Sequence, residues 1–343
     1  MGEASTPRQM VKALLQGATP SRPLLVPVIF SLGARLQNLP LSHFLANPTK
    51  IVNALRQIHS ALKVDGIACY FDPFLEAVAL GCKREWRADG TCAIASASCL
   101  SVDDLREQLK PEDDLSGGGH IPVACEVLRR LKTMLKDEPA LMVRVSGPFS
   151  LAAMLSGAWI RDASPPRDLI EFAAQAITSV AKSFAEAGAD IIFLSEDFVP
   201  DMSSEAHDWY GSLLAPIANV IRFYEALPVV SWGTTPPENL AALVGFGRDC
   251  ALCPLLPAEM LARGSLSHST QSATTVSVPA KSFYDDPENL QTLPAGFPNL
   301  GLLTSAADIP ANVDIKHLAR GLDAIRMRFG LSLPVHETLA HPT

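Results

Sequence analysis

At 343 residues the chain suits a single αβ barrel or two medium domains, and 48% hydrophobic against 19% charged residues supplies a large core with little sign of disorder. The net charge of −8 comes without a Lys/Arg block, which argues against nucleic acid or an anionic membrane as the main partner. The stretch MGEASTPRQMVKALLQG carries Glu3 and no continuous apolar segment, so it reads as neither signal peptide nor membrane span, and a cytoplasmic location is expected. Seven unevenly spaced cysteines suggest no disulfide framework and fit a reduced compartment.

Short apolar or β-branched runs recur along the chain, each followed by a segment with helical spacing. In order they are PLLVPVIF (23–30), GIACYF (66–71), ALMVRVSG (140–147), DIIFLSE (190–196), LPVVSW (227–232), CALCPLL (250–256), TTVSVP (274–279) and LGLLTS (300–305). Residues 169–188, closed by Gly188, and 205–227 have helical periodicity, and Pro236 and Pro237 open a further helix, PPENLAALVGFG. Near-continuous apolar strands alternating with amphipathic helices predict a parallel sheet covered by helices, and eight such units predict one (β/α)₈ TIM-type barrel. The whole chain, 1–343, is expected to be a single domain, with an N-terminal helix in 1–20 and an irregular insertion at 83–120 after the second strand that contains a hairpin around CAIASASCL.

Chemistry in such barrels sits where strands end and loops begin. Asp72 and Glu76 follow the second strand, Arg35 the first, Ser146 ends the third, Glu196 and Asp197 close the fourth, Ser231 and Trp232 the fifth, and Thr304, Ser305 and Asp308 the last. Each admits a structural role: Asp72 before Pro73 as a turn or cap residue, Glu76 as a first-turn helix acid, Glu196 and Asp197 as solvated loop acids, Trp232 as packing, Arg35 as a partner of one of the acids. Their convergence on one opening is what suggests a site. Cys250 and Cys253 form a C-x-x-C inside a predicted strand, where they point to opposite faces and serve packing.

Several segments resemble the uroporphyrinogen decarboxylase superfamily, which includes the decarboxylase and cobalamin-linked methyltransferases. STPRQMVKALLQGATPSRPLLVPV is similar to the opening of its members, FDPFLEAVALGC to the segment with an acidic active-site residue, VSGPFSLAAMLSG to the turn after strand three, GADIIFLSED to strand four and LLTSAADIP to the last strand and its exit. The resemblance runs from about Pro7 to Gly330. It implies that Arg35 keeps one of two carboxylate-holding arginines while Ser31 replaces the other, and that Asp72 matches the aspartate engaging pyrrole nitrogens. It also implies that Met154 replaces a tyrosine, and that a histidine is missing near Thr304 and Ser305. Uroporphyrinogen, a polycarboxylate, is then a poor match. The zinc ligands of the methyltransferase branch fall on Val230, Ser231, Trp232 and Ala307, so no tightly bound zinc or other metal is expected, while a hard metal held weakly by Asp72, Glu76, Glu196 and Asp197 stays open.

The resemblance implies a transferase moving a methyl or one-carbon group from a small methylated substrate, with Asp72 and Glu76 as catalytic acids and Arg35, Met154, Glu196, Asp197, Trp232, Thr304 and Ser305 around the substrate. A corrinoid on a separate partner protein is compatible with it, as is a homodimer; no tightly bound cofactor is expected. The alternatives are a lyase decarboxylating a tetrapyrrole-like or small carboxylic acid, and a non-catalytic ligand-binding barrel. If Asp72 is catalytic, Asp72→Asn should reduce turnover far more than Glu76→Gln.

Overall fold

The computed structural model describes residues 5–331 apart from 89, 97–101, 109–114, 137, 159–163, 198–203, 234–244, 246–249, 251, 259–272 and 286–298. Among the described residues there are ten strands: β1 Leu24–Leu25, β2 Gly66–Tyr70, β3 Lys83–Trp86, β4 Cys92–Ser96, β5 Ala140–Ser146, β6 Ile191–Glu196, β7 Leu227–Trp232, β8 Cys253–Pro257, β9 Thr274–Val278 and β10 Leu300–Ser305. Eight of them form one parallel sheet in the order β1-β10-β9-β8-β7-β6-β5-β2, and β3 and β4 pair separately as an antiparallel hairpin. The sheet curls into a nearly closed barrel surrounded by helices, a (β/α)₈ TIM-type fold.

β1 is shorter than the apolar run predicts because Pro23 and Pro27 flank its core and supply no N–H to a ladder. The chain nonetheless stays with β10, since the Val26 amide donates to the Leu303 carbonyl at 2.9 Å. The β1/β2 seam is closed by Asp65. Its amide donates to the Leu25 carbonyl, its carboxylate accepts the Leu25 amide at 2.8 Å, and Arg22 grips both carboxylate oxygens at 2.6 and 2.9 Å. Gly66 is required here: a Cβ would lie 2.7 Å from Val26 Cγ1. β8 begins at Cys253, so Cys250 precedes the strand and its thiol faces the Gly211 carbonyl.

The strand interiors alternate with period two. Leu24, Val26, Ala140, Met142, Ile191, Phe193, Leu227, Val229, Leu255 and Leu302 form one buried cluster along the barrel axis, and the other strand faces pack against the helices. The helix Pro7–Leu15 starts from a Thr6/Gln9 capping box and seals the barrel floor, its Met10, Val11 and Leu14 joining that axial cluster. Among the outer helices, Pro48–Leu62 starts at the Asn47 cap and Ile315–Phe329 at the Asp314 cap, ending at Gly330 in the left-handed conformation. The predicted helices at 169–188 and 205–227 appear as Arg167–Glu186 and Ser204–Phe223; the PPENLAALVGFG helix lies almost wholly outside the described residues. No described helix is long and apolar enough to cross a membrane.

Candidate active site

The same period of two that fills the barrel axis with apolar side chains ends, one step further along each strand, in a polar layer. Above Met142 stands Arg144, above Phe193 stands Ser195, above Val229 stands Ser231, and above Leu302 stands Thr304, joined by Ser277 from β9. These side chains, with Asp197 and Trp232, wall a cavity of about 380 Å³ at the C-terminal mouth. Its floor is Ala68, Met142, Phe193 and Leu255, so a bound molecule would rest on apolar surface and meet polar groups only at its upper half.

Arg144 is the charged centre of this layer. It is 7% exposed, its guanidinium lies over the Phe71 ring with the carbon 5.9 Å from the ring centre, and Nη2 contacts Asp197 Oδ2 at 3.3 Å. Its buried Nη1 has no hydrogen-bond partner. Asp197, with a side chain 44% exposed, is anchored through its amide to Ser150 Oγ at 2.7 Å. Ser231 donates weakly to Ser195 across the β6/β7 ladder at 3.4 Å. Ser305 accepts the Val28 amide and donates to the Ala307 carbonyl, so it joins the ends of β10 and β1 while lining the mouth.

The acids expected at the mouth occupy different places. Asp72 is buried beside the cavity wall, where Oδ1 accepts the Phe74 amide at 3.0 Å and Oδ2 takes Arg84 Nη2 from the β3/β4 hairpin at 2.5 Å. The Arg84 guanidinium is also flanked by Phe74 and Trp86. Glu76 is fully buried and accepts the Ser146 amide at 3.3 Å and hydroxyl at 3.0 Å; burial pushes its carboxyl up, against the pull of the Arg144 charge. Neither carboxylate lines the cavity.

Glu196 is also fully buried. It sits at the start of the Pro148–Ser156 helix, accepting the amides of Phe149 and Ser150, the Ser150 hydroxyl at 2.6 Å and the Tyr210 hydroxyl. Burial pushes its carboxyl up to about 8 against these donors. Gly147 leaves room for it, since a Cβ there would lie 2.1 Å from Glu196 Cδ.

Met154 is buried in the core, with its carbonyl facing the Cys82 thiol. Arg35 turns away from the mouth and donates to the Val313 carbonyl at 2.6 Å, along a separate groove that Asp308 borders. Asp308 caps the Ser31–Leu36 helix through the amides of Phe30 and Ser31, and burial pushes its carboxyl up to about 6. The structure thus brings Asp197, Trp232, Thr304 and Ser305 together at the cavity and leaves Asp72, Glu76, Glu196, Met154 and Arg35 behind or beside its walls. Arg144 was not among the expected site residues; a single cation inside the apolar run ALMVRVSG was the signal.

The sequence pattern of uroporphyrinogen decarboxylase (URO-D) matches residues 6–234, more than half of the chain. The chain belongs to the uroporphyrinogen decarboxylase family. No curated protein matches it. Among solved structures, a methyltransferase from Methanosarcina mazei superposes with a TM-score of 0.69 at 16% identity over 93% of this chain and 99% of that one. D-allulose 3-epimerase from Methylomonas sp. (TM-score 0.49, 9% identity, 91% and 99% coverage) and the homocysteine methyltransferase of Escherichia coli (0.46, 12%, 93% and 99%) are more distant barrels. At these identities the likeness is one of fold.

The zinc site implied by the methyltransferase branch of the family does not fit these residues. The cavity wall offers an arginine, one carboxylate and hydroxyls, where zinc needs several nitrogen or sulfur ligands. Among the described residues no three His, Cys, Asp or Glu side chains are grouped to hold a metal ion.

Proposed function

We propose that this member of the uroporphyrinogen decarboxylase family is an enzyme that transfers a methyl or other one-carbon group from a small molecule bound in the mouth cavity. The observation carrying this reading is the cavity itself: about 380 Å³, apolar below and polar above, with one charged pair, Arg144 and Asp197, at the reactive face of the barrel. The LEAVALGC segment, which is similar to the methyltransferase version of that stretch, favours group transfer over decarboxylation. A tetrapyrrole octacarboxylate would need several cations, and the described lining supplies Arg144 alone.

In this reading Asp197 is the acid–base group. The carbon–heteroatom bond of the donor breaks with its electron pair left on the heteroatom, the one-carbon group bonds to the acceptor, and Asp197, protonated from solvent beforehand, delivers its proton to that heteroatom. Trp232 and Phe71 shield the reacting carbon from water, while Asp72 and Glu76 hold the walls through Arg84 and Ser146. A corrinoid on a separate partner protein would supply the methyl acceptor. The test is to incubate the protein with a panel of O-, N- and S-methylated small molecules and a methyl-accepting cobalamin, following methylation optically, with CO₂ release from uroporphyrinogen and small carboxylic acids measured in parallel. Methylation that depends on Asp197 supports the reading. CO₂ release without methylation would replace it with decarboxylation, and inertness across both panels would leave a binding barrel.

A further inference from the structure

The cavity's chemistry says more about what it holds than about the reaction. Arg144 is carried on the interior face of β5, where the neighbouring positions along the axis, Ala140 and Met142, are apolar. Placing a guanidinium there costs desolvation free energy, which is offset by the Phe71 ring, by the charge of the buried Glu76 carboxylate behind the wall and by one direct 3.3 Å contact from Asp197 to Nη2. Nη1 is buried, without a partner, on a residue that lines the cavity. An unsatisfied charged donor costs more than a neutral one, and planar guanidinium donors match a carboxylate held by two parallel bonds.

We infer that the mouth cavity recognises a substrate carboxylate, which binds the guanidinium of Arg144 from the cavity side and displaces Asp197 from it. Arg144 is the one cation among the described lining residues, so a single anionic group is matched and a polyanion is not. Asp197 can give way because its side chain is 44% exposed, so water solvates it once it leaves Nη2. Displaced, it stands beside the bound molecule, where the proposed transfer needs its acid–base group. The inference rests on the cavity being the substrate site and deepens that reading by naming the substrate class.

Binding separates the two ideas. Isothermal titration of the full chain with benzoate, glutarate and N-methylglycine, each compared with its primary amide, should show the carboxylates binding at least about 10-fold more tightly, as a charge-assisted pair to a buried arginine implies. Arg144→Gln should remove that preference. Because this buried substitution can impair folding, Asp197→Asn provides the second arm: it removes the competing carboxylate and should tighten carboxylate binding several-fold while leaving amide binding unchanged. Equal affinity for acids and amides, or weaker carboxylate binding in Asp197→Asn, overturns the inference. Carboxylate binding without methylation of any acceptor defeats the transfer reading alone, and methylation from neutral donors with no acid preference defeats the carboxylate anchor alone.

Discussion

Asp72→Asn separates a structural from a chemical role for the acid at the end of β2. The substitution keeps side-chain size and the acceptor for the Phe74 amide, and it removes the charge facing Arg84 Nη2 at 2.5 Å. Both partners are buried, with side-chain exposures of 1% for Asp72 and 8% for Arg84. Breaking such a pair from one side leaves an uncompensated cation and costs about 3–5 kcal/mol. The lower end applies, because the rings of Phe74 and Trp86 still flank the guanidinium. With an unfolding entropy of roughly 2 cal/mol/K per residue, about 3 kcal/mol corresponds to a fall in Tm of about 4 °C for a chain this long. Thermal unfolding followed by circular dichroism reads it directly. Adding Arg84→Gln to Asp72→Asn should recover part of the loss, since the stranded charge is then gone. Carboxylate binding in the folded fraction should change little. If Asp72→Asn keeps its Tm and turnover falls by about 10²-fold or more, the acid does chemistry and its pairing with Arg84 is not its main role.

Three other expectations follow from the same contacts. Asp65→Ala removes the acceptor of the Leu25 amide and both Arg22 contacts at the β1/β2 seam; it should cost about 3–5 kcal/mol by denaturant titration while ligand affinity of the folded protein is retained. Glu196 is raised to about 8 from an ordinary 4.5, so the folded state holds a proton that the unfolded chain has lost between those values. Its contribution to stability therefore falls as pH rises through that window and levels off above it, with a slope of at most about 1.4 kcal/mol per pH unit, and Glu196→Gln should flatten this part of the stability–pH curve. Gly147→Ala places a Cβ 2.1 Å from Glu196 Cδ and should yield a protein that is severely destabilised or insoluble, whereas an alanine at Gly245, where a Cβ has open space, should be tolerated.

The barrel was legible because eight apolar runs alternate with helical spacing, and all eight begin within three residues of the observed strands; those at Gly66, Ala140, Leu227, Thr274 and Leu300 begin at the observed first residue. β1 shrank to Leu24–Leu25 because hydrophobicity marks burial, whereas ladder pairing needs the N–H groups that Pro23 and Pro27 lack. The site was harder to read. Proximity to a strand end locates the backbone of Asp72 and Glu76 near the mouth, but the direction of each side chain is set by partners distant in sequence. Arg84 captures Asp72 across the hairpin, and Ser146 captures Glu76 from β5. Arg35 was drawn to the Val313 and Asn312 carbonyls 278 and 277 positions away. Arg144 was missed because it lies within a strand read as apolar; counting by twos from Ala140 would have put it on the axis, one step above Met142.

The helix sealing the barrel floor also constrains when the protein can become watertight during its own synthesis. Arg8 finds the Pro139 carbonyl 131 positions later and the Asp190 carboxylate beyond it, and Lys12 pairs with Glu225 at a separation of 213. At ribosomal rates of about 5–20 residues per second, these partners emerge tens of seconds after the helix itself at the slower end. Throughout that interval Met10, Val11 and Leu14 lack most of the axial cluster they finally enter, so their apolar stripe stays incompletely covered. Closing the floor is therefore a late step that depends on strands as far along as β10 having been made, although the plug itself is made well before them.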